Sequence, residues 1–330
     1  MSRVQLLIVL TATILLLSGS ALGDRTPYPC SVCGETITGA HFETGGEYYH
    51  PEHFTCEYCG QPIKSAYTVY RKRNYHSHCF QTSVALRCSV CDGVIEGEYI
   101  IDYWGNATHV RHRDEVVRCD FCNRFIVGTL AADMVQLPGD RHLCGICSPS
   151  SITNPAEARR LMAAVSGYMS EFGLAVDPGV IELHLVDLGR LQKLSGKRSG
   201  SVTGFTDAES RKTIFGRTQH LSLKVYLLNG MPRVQMASTL AHELTHVWLF
   251  VQGRLRHDKA LAEGSCNYVS YLVLQKMGGE QGEYITHNMM RDRDRIYGAG
   301  FRRVKRYVEK YGVAEWIRLL KKRDTMVSRF

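Results

Sequence analysis

Beyond its first 17 residues this 330-residue chain has no apolar run near the roughly 20 residues that a membrane-crossing helix needs, so no further transmembrane helix is expected. Dispersed positive charge is also missing. Between Met289 and Phe330 thirteen Lys/Arg stand against five Asp/Glu, which accounts for the whole formal net charge of +8 and leaves the remainder balanced. A uniformly basic nucleic-acid binder is therefore disfavoured. Cysteine nearly vanishes after Cys147: eleven of the twelve lie between Cys30 and Cys147, and only Cys266 lies beyond. That concentration marks off a separate module. A hydrophobic content of 44% against 22% charged residues argues against disorder.

At the start, Arg3 precedes an apolar run from Val4 to Leu17, followed by Ser18-Gly19-Ser20-Ala21-Leu22-Gly23. Residues 1–23 read as a secretory signal peptide, with Ala21 and Gly23 as the small pair before the cut. The expected location is outside the cytoplasm, secreted or periplasmic. The alternative for this short run is an uncleaved N-terminal membrane anchor.

From Cys30 to Cys79 cysteine and histidine keep strict order: Cys30-x-x-Cys33, sixteen residues, His50-x-x-His53-x-x-Cys56-x-x-Cys59, sixteen residues, His76-x-x-Cys79. Two tetrahedral sites follow, one from Cys30, Cys33, His50 and His53 and one from Cys56, Cys59, His76 and Cys79. Four protein ligands leave no open position, so such sites are structural. The run, within residues 24–85, resembles a LIM domain, with His53 where most members carry cysteine. A second block, 86–150, repeats the plan more loosely and is LIM-like. It pairs Cys88, Cys91, His109 and His112 on one zinc and Cys119, Cys122, Cys144 and Cys147 on another. A disulfide framework would suit an exported protein, but it has no use for the correctly spaced histidines. Apart from Arg71-Lys72-Arg73 the block has no basic run, so no nucleic-acid partner is expected, and LIM modules more often bind protein.

Ser148-Pro149-Ser150-Ser151 reads as a linker into a third region, 151–330. Asn154-Pro155 opens a helix that runs to about Phe172. Ile181–Leu188 and His220–Leu228 alternate as strands do, and the Gly-, Ser- and Lys-rich stretch between them reads as a loop. Asn229-Gly230 ends the second strand, and Pro232 opens a helix expected to finish near Gly253.

That helix carries Ala241-His242-Glu243-Leu244-Thr245-His246, an H-E-x-x-H pattern. Residues four apart share a helix face, so His242 and His246 can offer two imidazoles to one zinc. Glu243 sits about 100° round the helix, where its carboxylate serves as a general base. A third ligand must follow from elsewhere. Asp258 is a plausible N-cap of the next helix, whose second turn holds Glu263 between Ala262 and Gly264. An antiparallel return would bring Glu263 level with the histidines; Asp207, Glu209 and Asp258 are the competing carboxylates. Tyr268, Tyr271, His287 and Tyr297 are in range to stabilise an oxyanion, and Leu221–Tyr226 is the strand expected to offer a substrate-aligning edge. Asn267 is a candidate to orient a ligand, and Cys266 reads as a small buried hydrophobe.

These features together resemble the plant organ-size LIM peptidases of the DA-one family, over Cys30 to at least Cys266 and including Gly230-Met-Pro-Arg233. The resemblance implies an α+β architecture, with LIM and LIM-like modules followed by a gluzincin-type metallopeptidase domain. It further implies peptide-bond hydrolysis with one catalytic zinc on His242, His246 and Glu263, Glu243 as base, and about four structural zincs. Protein or peptide substrates are expected, with the LIM modules binding a substrate or protein partner. An export signal stands where the plant proteins carry ubiquitin-interacting helices, which argues against regulation through ubiquitin. The competing reading is a LIM-type adaptor whose peptidase-like domain is idle. The basic C-terminal helices, with Arg302, Arg303, Lys305, Arg306 and Lys321-Lys322-Arg323, are candidates for contact with a membrane surface.

Overall fold

The computed structural model describes residues 3–7, 10–12, 28–196, 202–212, 218–252 and 258–321. The chain divides into two compact units, Met1–Val117 and Arg118–Phe330. The stretch 86–150, expected as one LIM-like domain, contributes to both: the cluster that begins at Cys88 lies in the first unit and the one that begins at Cys119 in the second.

In the first unit the Cys-x-x-Cys pairs are tight turns. The backbone N–H directly after each second cysteine donates to the carbonyl of the first: Gly34 to Cys30 at 2.8 Å, Gly60 to Cys56 at 2.7 Å and Asp92 to Cys88 at 2.8 Å. All three donors have positive φ, which glycine adopts freely and aspartate tolerates better than most residues. Short antiparallel hairpins follow, Phe42–Thr44 with Glu47–Tyr49, Tyr67–Tyr70 with Arg73–His76, and Gly97–Ile101 with Ala107–His109. Phe42, Phe54, Ile63, Tyr67, Tyr75 and Phe80 form one small core, and Ile95, Tyr99 and Ala107 form another around Cys88. Cores this small need further cross-links to hold. Within the segment read as an export signal, Arg3–Leu7 pairs with Gly97–Ile101 and Leu10–Ala12 with Tyr67–Tyr70. The expected cleavage residues Ala21 and Gly23 lie outside the described residues.

The second unit opens with the turn Cys119–Asn123 and the hairpin Val135–Leu137 with Arg141–Leu143. Helix α1, Pro155–Glu171, begins where the sequence places it, with Asn154 accepting from the Ala156 N–H at 2.8 Å. Strand β1 is Glu182–Val186, helix α2 Leu188–Ser195, strand β2 Gly204–Lys212 and strand β3 Thr218–Leu228. Then come five helices: α3 Arg233–Val251, α4 Lys259–Met277, α5 Glu280–Arg291, α6 Tyr297–Tyr311 and α7 Val313–Lys321. No described helix is long and apolar enough to cross a membrane.

Two expectations fail here. The stretch between the foreseen strands is not a plain loop: Asp187 caps α2 by accepting from the Arg190 N–H at 2.7 Å, and β2 pairs with β3 along its length. The polar, glycine-rich composition hides an edge strand because only one of its sides needs partners. The sheet order is β1-β3-β2, with β3 parallel to β1 and antiparallel to β2. Leu221–Tyr226 therefore lies in the central strand: all of it pairs with β2, and Lys224–Tyr226 pairs with β1 as well. The edge beside α3 belongs to β2.

Helix α3 is the axis of this unit. Twelve of its nineteen residues are buried, so it is enclosed on nearly every side. Helix α4 returns against it and is tied by the Ser270 hydroxyl, which donates to the Ser238 carbonyl at 2.7 Å. On its other side α4 meets α6 where Gly264 faces Gly300: a Cβ on Gly264 would stand 2.4 Å from the Gly300 carbonyl carbon. Side chains larger than hydrogen cannot occupy that crossing. Trp316 of α7 closes the core and donates from Nε1 to the Ser265 hydroxyl at 3.1 Å.

Candidate functional site

Five groups of His, Cys and carboxylate side chains converge among the described residues, each with its ligand atoms within 4.8 Å of one another. Four are the Cys/His sets foreseen from the sequence: Cys30, Cys33, His50 and His53; Cys56, Cys59, His76 and Cys79; Cys88, Cys91, His109 and His112; and Cys119, Cys122, Cys144 and Cys147. Their spacing suits zinc. Ligands at zinc–sulfur and zinc–nitrogen distances on a tetrahedron lie roughly 3.8 Å apart for two sulfurs and 3.6 Å for sulfur and nitrogen. Cys122 and Cys144 sulfurs are 3.7 Å apart, Cys33 Sγ and His50 Nδ1 3.6 Å, and Cys91 Sγ and His109 Nδ1 3.6 Å. The Nε2 atoms of His76 and His109 lie 3.3 and 3.2 Å from the carbonyls of Pro62 and Val94. A proton donated there leaves Nδ1 bare and facing the cysteines, the tautomer a metal needs.

The fifth group, His242, His246, Glu263 and the buried Cys266, differs in kind. His242 Nε2 and His246 Nε2 lie 3.2 Å apart, and Glu263 Oε2 lies 3.2 Å from the first and 3.4 Å from the second. Nitrogen and oxygen ligands about 2.0–2.1 Å from a tetrahedral zinc lie roughly 3.3–3.4 Å apart. The three atoms thus outline one face of such a tetrahedron. Glu263 Oε2 is buried without a well-formed hydrogen bond, as befits an atom aimed at an ion. Burial acts to raise the Glu263 carboxyl, but the adjacent His242 and His246 rings outweigh it and hold the group well below the usual carboxylate range.

The outer nitrogens are also engaged. His242 Nδ1 lies 2.9 Å from Asn267 Oδ1, and the Asn267 amide nitrogen donates to the Tyr297 carbonyl at 3.3 Å. With its nitrogen so committed, Asn267 presents oxygen to the ring, and His242 carries its proton on Nδ1. His246 Nδ1 lies 3.6 Å from Cys266 Sγ. The sulfur is fully buried, and burial pushes that thiol up.

Glu243 lies beside this cluster and is 6% exposed. Thr206 of β2 donates to Glu243 Oε2 at 2.7 Å and approaches its backbone carbonyl at 3.1 Å. Gly204 makes this approach possible: a Cβ there would stand 2.6 Å from both Glu243 Oε1 and Thr239 Cγ2. Along β2 and α3 runs a cleft of about 660 Å³ whose lining includes Phe205, Thr206, Glu243, Glu263, Met289 and Tyr297. The Tyr297 ring stacks on His242 with centroids 6.5 Å apart. Burial and then repulsion from Glu263 push its phenol up to about 12.

The structure brings His242, Glu243, His246 and Glu263 to one place. Asp207, Glu209 and Asp258, the competing carboxylates, are not in the cluster. Asp258 instead caps α4, accepting from the Ala260 and Leu261 N–H groups. Of the four oxyanion candidates only Tyr297 lines the cleft; Tyr268 packs on Trp316 and Tyr271 on Phe301. Sequence reasoning missed Gly204 and Thr206. Both sit in the stretch read as loop, and the only signal was the brief Phe205-Thr206-Asp207-Ala208 alternation. Cys266 lies against a ring nitrogen, which its description as a space filler did not foresee.

Comparison with known proteins places these features in context. A LIM domain matches residues 30–84, and the DA1-like family, described as Protein DA1, matches residues 197–281. The chain is 24% identical to LIM domain-containing protein HDR3 of Oryza sativa subsp. japonica, over 87% of this chain and 71% of that protein. It is likewise 24% identical to Protein DA1-related 2 of Arabidopsis thaliana over 86% of this chain and 67% of that protein. Protein DA1 of Arabidopsis thaliana matches at 24% over 86% and 65% respectively. The chain thus spans about two thirds of the length of these relatives.

Proposed function

We propose that this chain, which joins a LIM domain to a DA1-like domain, is a zinc-dependent peptidase of the gluzincin type. The observation that carries the reading is the face formed by His242 Nε2, His246 Nε2 and Glu263 Oε2, with edges of 3.2, 3.2 and 3.4 Å, beside a buried carboxylate that is not part of it. A zinc ion held there supplies a Lewis acid and an acidified water at neutral pH. The Thr206 hydroxyl holds Glu243 Oε2, and the carboxylate accepts the proton of the attacking water and returns it to the leaving amine. The Tyr297 phenol, protonated at working pH, donates to the carbonyl oxygen as charge builds on it. An extended peptide pairs with the β2 edge by backbone hydrogen bonds, which sets its path across the cleft.

The four Cys/His clusters, in this reading, hold structural zincs, and the LIM modules recruit a substrate or partner protein. The domain assignment is a LIM domain at 24–85, a LIM-like stretch at 86–150 and the peptidase domain at 151–330. We further propose that residues 1–23 act as an export signal and that the basic faces of α6 and α7 meet a membrane surface.

The test is cleavage of an unfolded protein by wild type and by Glu243→Gln, with zinc quantified in both. Glu243→Gln is expected to keep its zinc and lose activity by at least 100-fold. Equal activity in both would sink the assignment of the base. A wild type with full metal and no activity towards any unfolded substrate would favour the adaptor reading.

A further inference from the structure

We propose that Cys266 is a positioning residue for His246, its sulfur accepting a hydrogen bond from Nδ1–H so that Nε2 stays bare and aimed at His242 Nε2 and Glu263 Oε2. The inference rests on reading His242, His246 and Glu263 as metal ligands. It starts from the spacing on α4. Glu263, Cys266 and Asn267 stand at i, i+3 and i+4, so one face of one helix presents all three. The first meets both histidines at Nε2, and the other two each meet one histidine at Nδ1: Asn267 Oδ1 at 2.9 Å from His242 and Cys266 Sγ at 3.6 Å from His246.

A neutral imidazole carries one proton and can place it on either nitrogen. Were it on Nε2 of His246, it would point into the cluster and occupy the lone pair that a metal needs. An acceptor must therefore hold the N–H on the outer side. For His242 an amide oxygen accepts that hydrogen bond. For His246 the atom in that position is the sulfur, and 3.6 Å is a normal separation for a hydrogen bond to sulfur. Cys266 is 0% exposed. Without the sulfur, the outer N–H would face the hydrophobic cluster in which Cys266 is packed, and leaving a donor unmade there is costly. A cysteine that merely filled space would be replaceable by any side chain of similar volume, and a cysteine that bound the metal would show itself as a thiolate ligand. These alternatives make the proposal testable.

The experiment uses the full chain with the four Cys/His clusters left zinc-loaded, and titrates only the His242–His246–Glu263 site, with His246→Ala defining the signal of its loss. Cys266→Ala and Cys266→Val are compared with wild type for zinc affinity by competition with a chromophoric chelator. The visible absorption of the site loaded with Co²⁺ is recorded alongside. Both variants are expected to bind zinc about 10–100-fold more weakly and to shift the Co²⁺ bands. The Val variant, which restores the volume, should melt like wild type when this site is empty. Wild-type affinity in Cys266→Val would reduce Cys266 to a space filler and overturn the proposal. So would a sulfur-to-cobalt charge-transfer band that both variants lose, since it would make Cys266 a ligand. If wild type takes up no more metal at this site than His246→Ala does, the peptidase reading fails as well.

Discussion

Thr206 holds Glu243 by a 2.7 Å hydrogen bond from Oγ1 to Oε2, which ties the edge strand of the sheet to the helix carrying the histidines. The bond fixes the position of the carboxylate that receives a proton in the proposed chemistry. Thr206→Val, which keeps the shape and removes the donor, is expected to lower kcat about 10-fold, a fraction of what a general base contributes. KM should change little, and Thr206→Ser should recover most of the rate. Steady-state kinetics decide it: an unaffected Thr206→Val would mean that the bond does not set the position of the base.

The crossing of α4 and α6 rests on two glycines. A methyl group on Gly264 would stand 2.4 Å from the Gly300 carbonyl carbon and 2.6 Å from its oxygen, and neither is the free end of a flexible side chain. Gly264→Ala should therefore push the helices apart at a cost of about 1–3 kcal/mol. Because Glu263 is the adjacent residue, its carboxylate should be displaced from the histidines. Thermal melting and zinc content should fall together, and a variant that melts with wild type would show that the helices can separate at no cost.

Tyr297 offers a phenol to the cleft, and burial and repulsion from Glu263 push it up to about 12. It stays protonated, and able to donate, across the range from pH 6 to 10. Tyr297→Phe keeps the ring stacked on His242 and removes the donor. The loss expected in kcat is about 10²–10³-fold, the usual effect of deleting one oxyanion donor, with zinc content unchanged. The shape of the pH–rate profile below pH 10 should be the same in both enzymes; an alkaline limb present only in wild type would assign Tyr297 a lower value.

The four-cysteine cluster belongs to the unit that carries the cleft. Its hairpin grips the turn before α3: Arg141 donates to the Asn229 carbonyl at 3.0 Å, and Leu137 packs where a side chain on Gly230 would have to go. Ser151–Ile152 pairs with Met231–Pro232 at the same place. Cys144→Ala should release one zinc and lower the melting temperature of this unit by several degrees, since about 1 kcal/mol corresponds to 2–4 °C at this size. Differential scanning calorimetry with metal analysis checks it, and an unchanged transition with one zinc fewer would uncouple the cluster from the cleft.

Much of this was legible in the sequence because metal chemistry imposes its own spacing. Cys-x-x-Cys is a local turn, and His242 and His246 share a helix face whatever surrounds them. The LIM resemblance needed no long-range contact, and neither did the capped starts of α1 and α4 at Asn154 and Asp258. Glu263 could be proposed because a short return helix leaves few places for it. What the sequence could not decide is which atoms at a distance meet them. That β2 forms the edge and β3 the centre depends on pairing between segments, and pairing leaves no local mark when a strand is polar on one side. Gly204 against Glu243, Gly264 against Gly300 and Cys266 against His246 are contacts between elements, set by how closely α3 and α4 pack with their neighbours. The residue types of the site were written locally; the partners of its outer ring nitrogens, the hold of Thr206 on Glu243 and the cleft were decided by packing, because only packing fixes which buried polar atom finds which partner.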